Sequence, residues 1–113
     1  VEKMKYDTPE LTVKAGKKIK LTFANPDLMP HNIVLVNPGK LEAIATAAIA
    51  LGAEGFNVGF IPKSSDIIWA SKLIDHGKEQ VIEFTAPTKP GDYPYVCTFP
   101  GHHLLMRGVL HVK

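Results

Sequence analysis

Lys17-Lys18-Ile19-Lys20-Leu21-Thr22-Phe23-Ala24-Asn25 alternates apolar and polar side chains almost without a break. Ile19, Leu21 and Phe23 fall on one face, and Lys18, Lys20 and Thr22 on the other, which is the period of a half-buried strand. Ala15-Gly16 turns the chain before this stretch and Pro26-Asp27 breaks it afterwards. Upstream, Leu11-Thr12-Val13-Lys14 alternates in the same way. Downstream, Asn32 to Asn37 is a short β-branched run closed by Pro38-Gly39. Gln80 to Thr85 alternates again, with Val81 and Phe84 as its apolar positions. Asp92 to Cys97 carries Tyr93, Tyr95 and Val96, and Gly108 to Lys113 carries Val109 and Val112. Many short strands punctuated by Gly and Pro predict an all-β sandwich or barrel.

Leu41 to Leu51 breaks the pattern. It is dense in good helix formers, has Leu41, Ile44, Ala48 and Leu51 at helical spacing, and meets a plausible stop at Gly52. It reads as a helix inserted between strands, followed by an irregular stretch from Glu54 to Asp66. The whole chain, 113 residues with 45% apolar and 21% charged residues, fits one domain spanning 1–113. Its lack of an initiator Met leads to the expectation that it is cut from a longer protein or has lost a leader. A formal net charge of +2 gives no reason to expect nucleic acid as a partner. No apolar run approaches the roughly 20 residues of a membrane-spanning helix. One cysteine excludes an internal disulfide and any multi-cysteine zinc site.

That cysteine lies in the most informative segment, Tyr95-Val96-Cys97-Thr98-Phe99-Pro100-Gly101-His102-His103-Leu104-Leu105-Met106. A thiol, an imidazole and a thioether follow at spacings of five and four. Pro100-Gly101 turns the chain so that His102 and Met106 can swing back toward Cys97. A second imidazole is available at His31, which opens a strand after the Pro-marked loop Leu28-Met29-Pro30. A thiolate and two imidazoles in a plane, with a weak axial thioether, suit copper as both Cu(I) and Cu(II). Taken singly, each of these residues has a blander reading: a buried small hydrophobe, a turn histidine, a core methionine. Their joint occurrence around Pro-Gly favours a metal. His76 and His111 have no such context and read as surface or strand histidines, and His103 as a rim residue beside His102.

These segments resemble the cupredoxins, the small blue copper proteins, of the azurin and auracyanin type. Cys97-Thr98-Phe99-Pro100-Gly101-His102 with Leu105-Met106-Arg107-Gly108 is similar to the family's ligand loop, and Met29-Pro30-His31-Asn32 to its first-ligand loop. Ser71-Lys72-Leu73-Ile74 with the turn and strand after it also fits, and the resemblance runs from about Met4 to Lys113. It implies a Greek-key sandwich with a helical flap at residues 41–51, and one type 1 copper per chain. It also implies electron transfer rather than enzymatic turnover. His31, Cys97 and His102 correspond to the strong ligands and Met106 to the axial one. The Pro30 backbone carbonyl stands where azurins place a glycine carbonyl near the opposite axial position. Asn32 corresponds to the asparagine tying the two loops together, the backbone N–H groups of Asn32 and Phe99 near the Cys97 sulfur would tune its charge, and Thr98 belongs with them around the ligands. Pro30 in place of glycine, the missing azurin disulfide and an apparent late start by one strand are departures. The chain also resembles cupredoxin domains fused to haem-containing or sugar-type dehydrogenases.

Tyr93 to Met106 and Leu28 to Gly39 contain no Lys, Arg, Asp or Glu. Both ligand loops are therefore expected to carry no formal charge and to form an apolar patch around His102. Pro100, His103, Leu104 and Leu105 are its candidate members, and Pro30 lies on the other loop. A c-type cytochrome or a fused dehydrogenase domain is the expected partner, in the periplasm or another extracytoplasmic space. Multicopper enzymes require additional histidine-rich domains, for which five histidines leave no room. Copper storage would favour a more open Met- or Cys-rich site. Copper binding for storage, and relay of electrons inside a larger redox enzyme, are the alternatives.

Overall fold

The structure, a computed structural model, describes residues 10–99, 102, 103 and 106–113. Seven strands occur among them: β1 (Glu10–Val13), β2 (Lys18–Asn25), β3 (Val34–Val36), β4 (Ile67–Ala70), β5 (Lys78–Thr85), β6 (Gly91–Val96) and β7 (Arg107–Val112). They form a five-stranded sheet in the order β1-β7-β6-β3-β4 and a two-stranded sheet of β2 and β5. β1 runs parallel to β7, and the other pairings are antiparallel. The all-β sandwich expected from the alternating segments is what forms.

Period two decides which side chains enter the core. Ile19 lies opposite Phe84, and Leu21 opposite Ile82, across the β2–β5 pair. Phe23, Ile33, Leu35, Tyr93, Tyr95, Leu110 and Val112 pack with Ile82 between the two sheets. Val81, one of the two apolar positions expected in this strand, faces solvent instead. It lies one residue out of phase with Ile82 and Phe84, and neighbouring strand residues point to opposite sides. β4 has no counterpart among the strands expected from sequence. Its Ile67-Ile68-Trp69-Ala70 is a run of apolar residues without alternation, and all four are half-buried.

The inserted helix, α1 (Leu41–Ala50), lies where the residues predict, and Gly52 beyond it takes φ +58°, a conformation that costs glycine little. A 3-10 segment, Gly52–Val58, follows in the stretch expected to be irregular. Ile44 packs on Val34, Val36 and Val96, on the face of the large sheet opposite the main core. β3 is consequently buried on both sides, which explains why Val34-Leu35-Val36 is apolar throughout, with no polar alternation. Among the described residues no single helix is long and apolar enough to cross a membrane.

The connections that matter for function cluster where β2 leads into β3 and β6 into β7. The first is the loop carrying His31, whose backbone exchanges two hydrogen bonds with Ile74, at 3.0 and 2.7 Å. The second runs from Cys97 to Met106.

Candidate metal centre

β6 ends at Val96 and delivers Cys97 fully buried. The Cys97 N–H donates to the Met106 carbonyl at 3.0 Å, the Met106 N–H to the His102 carbonyl at 2.8 Å, and the His102 N–H to the Phe99 carbonyl at 3.0 Å. This chain of bonds folds the loop back on itself and brings an imidazole and a thioether residue next to the thiol. Met106 is completely buried within the core cluster that also contains Cys97.

His31 arrives from the other loop. Its Nδ1 lies 3.2 Å from His102 Nδ1 and 3.9 Å from Cys97 Sγ, and Cys97 Sγ lies 3.6 Å from His102 Nδ1. All three residues are buried, and among the described residues they are the one His/Cys/Asp/Glu group with metal-binding geometry. The triangle has the edges expected when two imidazole nitrogens and a sulfur share one atom at bond lengths of about 2.0 to 2.3 Å. The donor set is soft enough for Cu(I) and nitrogenous enough for Cu(II), so residues and geometry both fit copper.

The two loops are fastened together by Asn32, which is fully buried. Its side-chain amide donates to Thr98 Oγ1 at 2.8 Å and to the Gly59 carbonyl at 2.9 Å, and its Oδ1 accepts the Thr98 N–H at 2.8 Å. Thr98 Oγ1 in turn donates to the Phe60 carbonyl at 2.7 Å. The segment after α1 is therefore locked to both ligand loops. Phe60 sits at φ +58°, which costs a non-glycine residue roughly 1 kcal/mol or more. Its N–H bond to the Gly55 carbonyl, 2.8 Å, and its buried ring hold it there. A Cβ on Gly55 would collide with that ring.

Burial sets the protonation of the donors. It pushes the Cys97 thiol up to about 11, opposed by backbone N–H groups of Asn32 and Phe99 that favour the thiolate. It lowers His102 to about 4, aided by neighbouring His31. His31 is also lowered by burial, against the pull of the Asp27 carboxylate. Both imidazoles are thus neutral at pH 7 and ready to ligate, whereas the thiol must surrender its proton to a metal.

The remaining sequence-predicted residues are placed as follows. Pro30 is half-buried directly before His31, and Phe99 half-buried against His102, with ring centroids 4.7 Å apart. His103 is half-buried, and its carbonyl accepts the Arg107 Nε–H at 2.9 Å. Pro100, Leu104 and Leu105 lie outside the described residues. His76 is exposed, and His111 bridges Asp92 and Glu10 on the sheet surface, 2.7 and 3.2 Å away.

Sequence reasoning overlooked Asp27. The uncharged stretch begins at Leu28, yet one residue earlier a carboxylate oxygen lies 3.0 Å from His31 Nε2. The first loop is therefore not free of charge. The signal was available: an acid four residues before a histidine, on the far side of Pro30.

The family model for copper-binding proteins of the plastocyanin/azurin family matches residues 1–113. The chain belongs to that family. Auracyanin-A of Chloroflexus aurantiacus is 39% identical over 99% of the chain and 69% of the relative. An azurin of Pseudomonas aeruginosa is 31% identical over 99% of the chain and 80% of the relative. Among solved structures, the reduced auracyanin of Roseiflexus castenholzii superposes with a TM-score of 0.87 at 37% identity, covering 99% of this chain and 90% of that one. The chain is thus a cupredoxin of the azurin and auracyanin type, a sandwich with a helical flap. Copper is its cofactor, with His31, Cys97, His102 and Met106 positioned for a single ion, and one-electron transfer through a type 1 site is its function. Cupredoxins carry electrons between redox partners and are not themselves enzymes.

Proposed function

We propose that His31 and His102, through Nδ1, and Cys97, through its thiolate, are the three strong copper ligands, with Met106 as the weak axial donor and the Pro30 carbonyl on the opposite side. The observation that carries this assignment is the buried triangle of one sulfur and two ring nitrogens. When bound, copper supplies reversible one-electron Cu(I)/Cu(II) chemistry. The chain does the rest. Asn32 and Thr98 hold the two loops at fixed separation, so the donors have little room to rearrange between oxidation states. Backbone N–H groups of Asn32 and Phe99 stabilise charge on the sulfur, and Phe60 and Phe99 exclude water from one flank.

Electrons pass through the His102 edge to a redox protein docked on Pro100, His103, Leu104 and Leu105. That patch has no ionisable side chain other than His103. A c-type cytochrome or a dehydrogenase domain on the same polypeptide suits such a weak, fast-exchanging contact. The chain works as one domain, 1–113, either alone or as a relay in a longer protein, in the periplasm or another extracytoplasmic space like that expected for thiolate–copper carriers.

Titrating the metal-free protein with Cu(II) tests the ligand set. One equivalent should give an intense blue thiolate-to-copper band, absent in Cys97→Ser; a colourless adduct indifferent to that substitution would overturn the assignment. Leu104→Asp should slow electron exchange with the partner and leave the visible spectrum unchanged. Equal exchange rates would remove the docking patch.

A further inference from the structure

Residues 25 to 31 form a small polar scaffold that the ligand set alone does not require. Asn25, the buried last residue of β2, accepts the Asp27 N–H on Oδ1 at 2.9 Å, and its amide donates to the Met29 and Ile74 carbonyls, both at 2.8 Å. The Asp27 backbone oxygen lies 2.8 Å from His76 Nδ1. Pro26 and Pro30 restrict the backbone on either side. The loop is thus pinned at both ends, and the Asp27 carboxylate comes to rest 3.0 Å from the outer nitrogen of His31.

We propose that Asp27 is a positioning residue for the copper site: its carboxylate fixes the tautomer of His31, makes that imidazole a stronger donor and biases the site toward Cu(II). This rests on the copper reading above and extends it. An ionised carboxylate only accepts hydrogen bonds, so His31 Nε2 must carry the hydrogen. In a neutral ring Nδ1 is then bare, and Nδ1 is the nitrogen that faces Cys97 and His102. The carboxylate draws the Nε2 hydrogen toward itself, and electron density moves to Nδ1. Its negative charge, one imidazole away from the site, stabilises the more positive oxidation state. Asp27 is only partly exposed, so water screens this charge less than it would a surface carboxylate.

The test compares wild type, Asp27→Asn and Asp27→Leu, each as the full chain, by copper-loaded potentiometry with visible spectra and by long-range proton–nitrogen NMR of the metal-free histidine rings. Asn keeps the shape with a neutral acceptor, and Leu removes the acceptor. All three should bind one copper and stay blue. The ratio of Cu(II) to Cu(I) affinity should fall at least tenfold in Asp27→Leu, raising the potential by about 59 mV, with Asp27→Asn between it and wild type. Wild-type His31 should carry its hydrogen on Nε2. Potentials that coincide in all three proteins, or a His31 hydrogen on Nδ1, would overturn the proposal. A wild type with no blue band would instead refute the type 1 reading, and the NMR arm would still decide the role of Asp27.

Discussion

The two imidazoles of the site face each other across 3.2 Å but live in opposite surroundings. His31 is backed by a polar loop, with a carboxylate on its outer nitrogen and Asn25 bracing the turn. His102 is backed by rings: Phe99 lies 4.7 Å away, Phe60 packs on Phe99 at 5.2 Å, and Phe56 on Phe60 at 4.9 Å. Burial disfavours the charged form of both histidines, but only His31 has a carboxylate hydrogen-bonded to it in compensation. A near-symmetric pair of ligands can thus be tuned separately, one through its hydrogen-bond partner and the other through exclusion of water.

Asn32 is the joint between these two regions, and breaking it should have the largest effect. Asn32→Leu leaves the buried Thr98 N–H and the part-buried Gly59 carbonyl without the Asn32 side chain, which costs about 2 to 4 kcal/mol. Chemical denaturation of the metal-free protein should show a loss of this size. A loss below about 0.5 kcal/mol, of the kind surface substitutions give, would mean that the loops are held by something else.

Acid should separate the two histidines more gently. In the unfolded chain both take up a proton near pH 6.5, whereas His102 in the folded metal-free protein resists until about pH 4. Between those values the unfolded state binds more protons, so stability falls as pH drops through this window and is restored above it. Ring titrations by NMR should find His102 near pH 4 and His31 above it. Superimposed titrations, or metal-free stability that does not change from pH 7 to pH 5, would erase the distinction.

Much of this was legible in the chain itself. Alternation in Lys17 to Asn25 and the helix formers of Leu41 to Leu51 specify the sandwich and its flap, because period and propensity act locally. The Cys97 to Met106 spacing specifies a metal loop, because ligands set by one turn must be close in sequence. What escaped reading depends on tertiary contact. Ile67 to Ala70 pairs with β3; its β-branched and aromatic residues favour a strand, but it lacks the apolar–polar alternation that marks the other strands. Val81 and Ile82 are both apolar neighbours, and only the register opposite β2 decides that Ile82 faces inward and Val81 outward. Phe60 adopts its unusual backbone only because Thr98 and Gly55 hold it. Asp27 stands just outside the uncharged loop in sequence, and only the fold brings its carboxylate to the imidazole.

X-ray absorption at the copper edge, on the oxidised protein loaded with one equivalent, reaches the core of the account most directly. Two nitrogen scatterers near about 2.0 Å and one sulfur at about 2.2 Å are expected, the distances at which imidazole and thiolate bind such ions. A shell of nitrogen and oxygen alone, with the Cys97 thiol still titratable, would show that copper sits elsewhere and that the buried triangle is not its site.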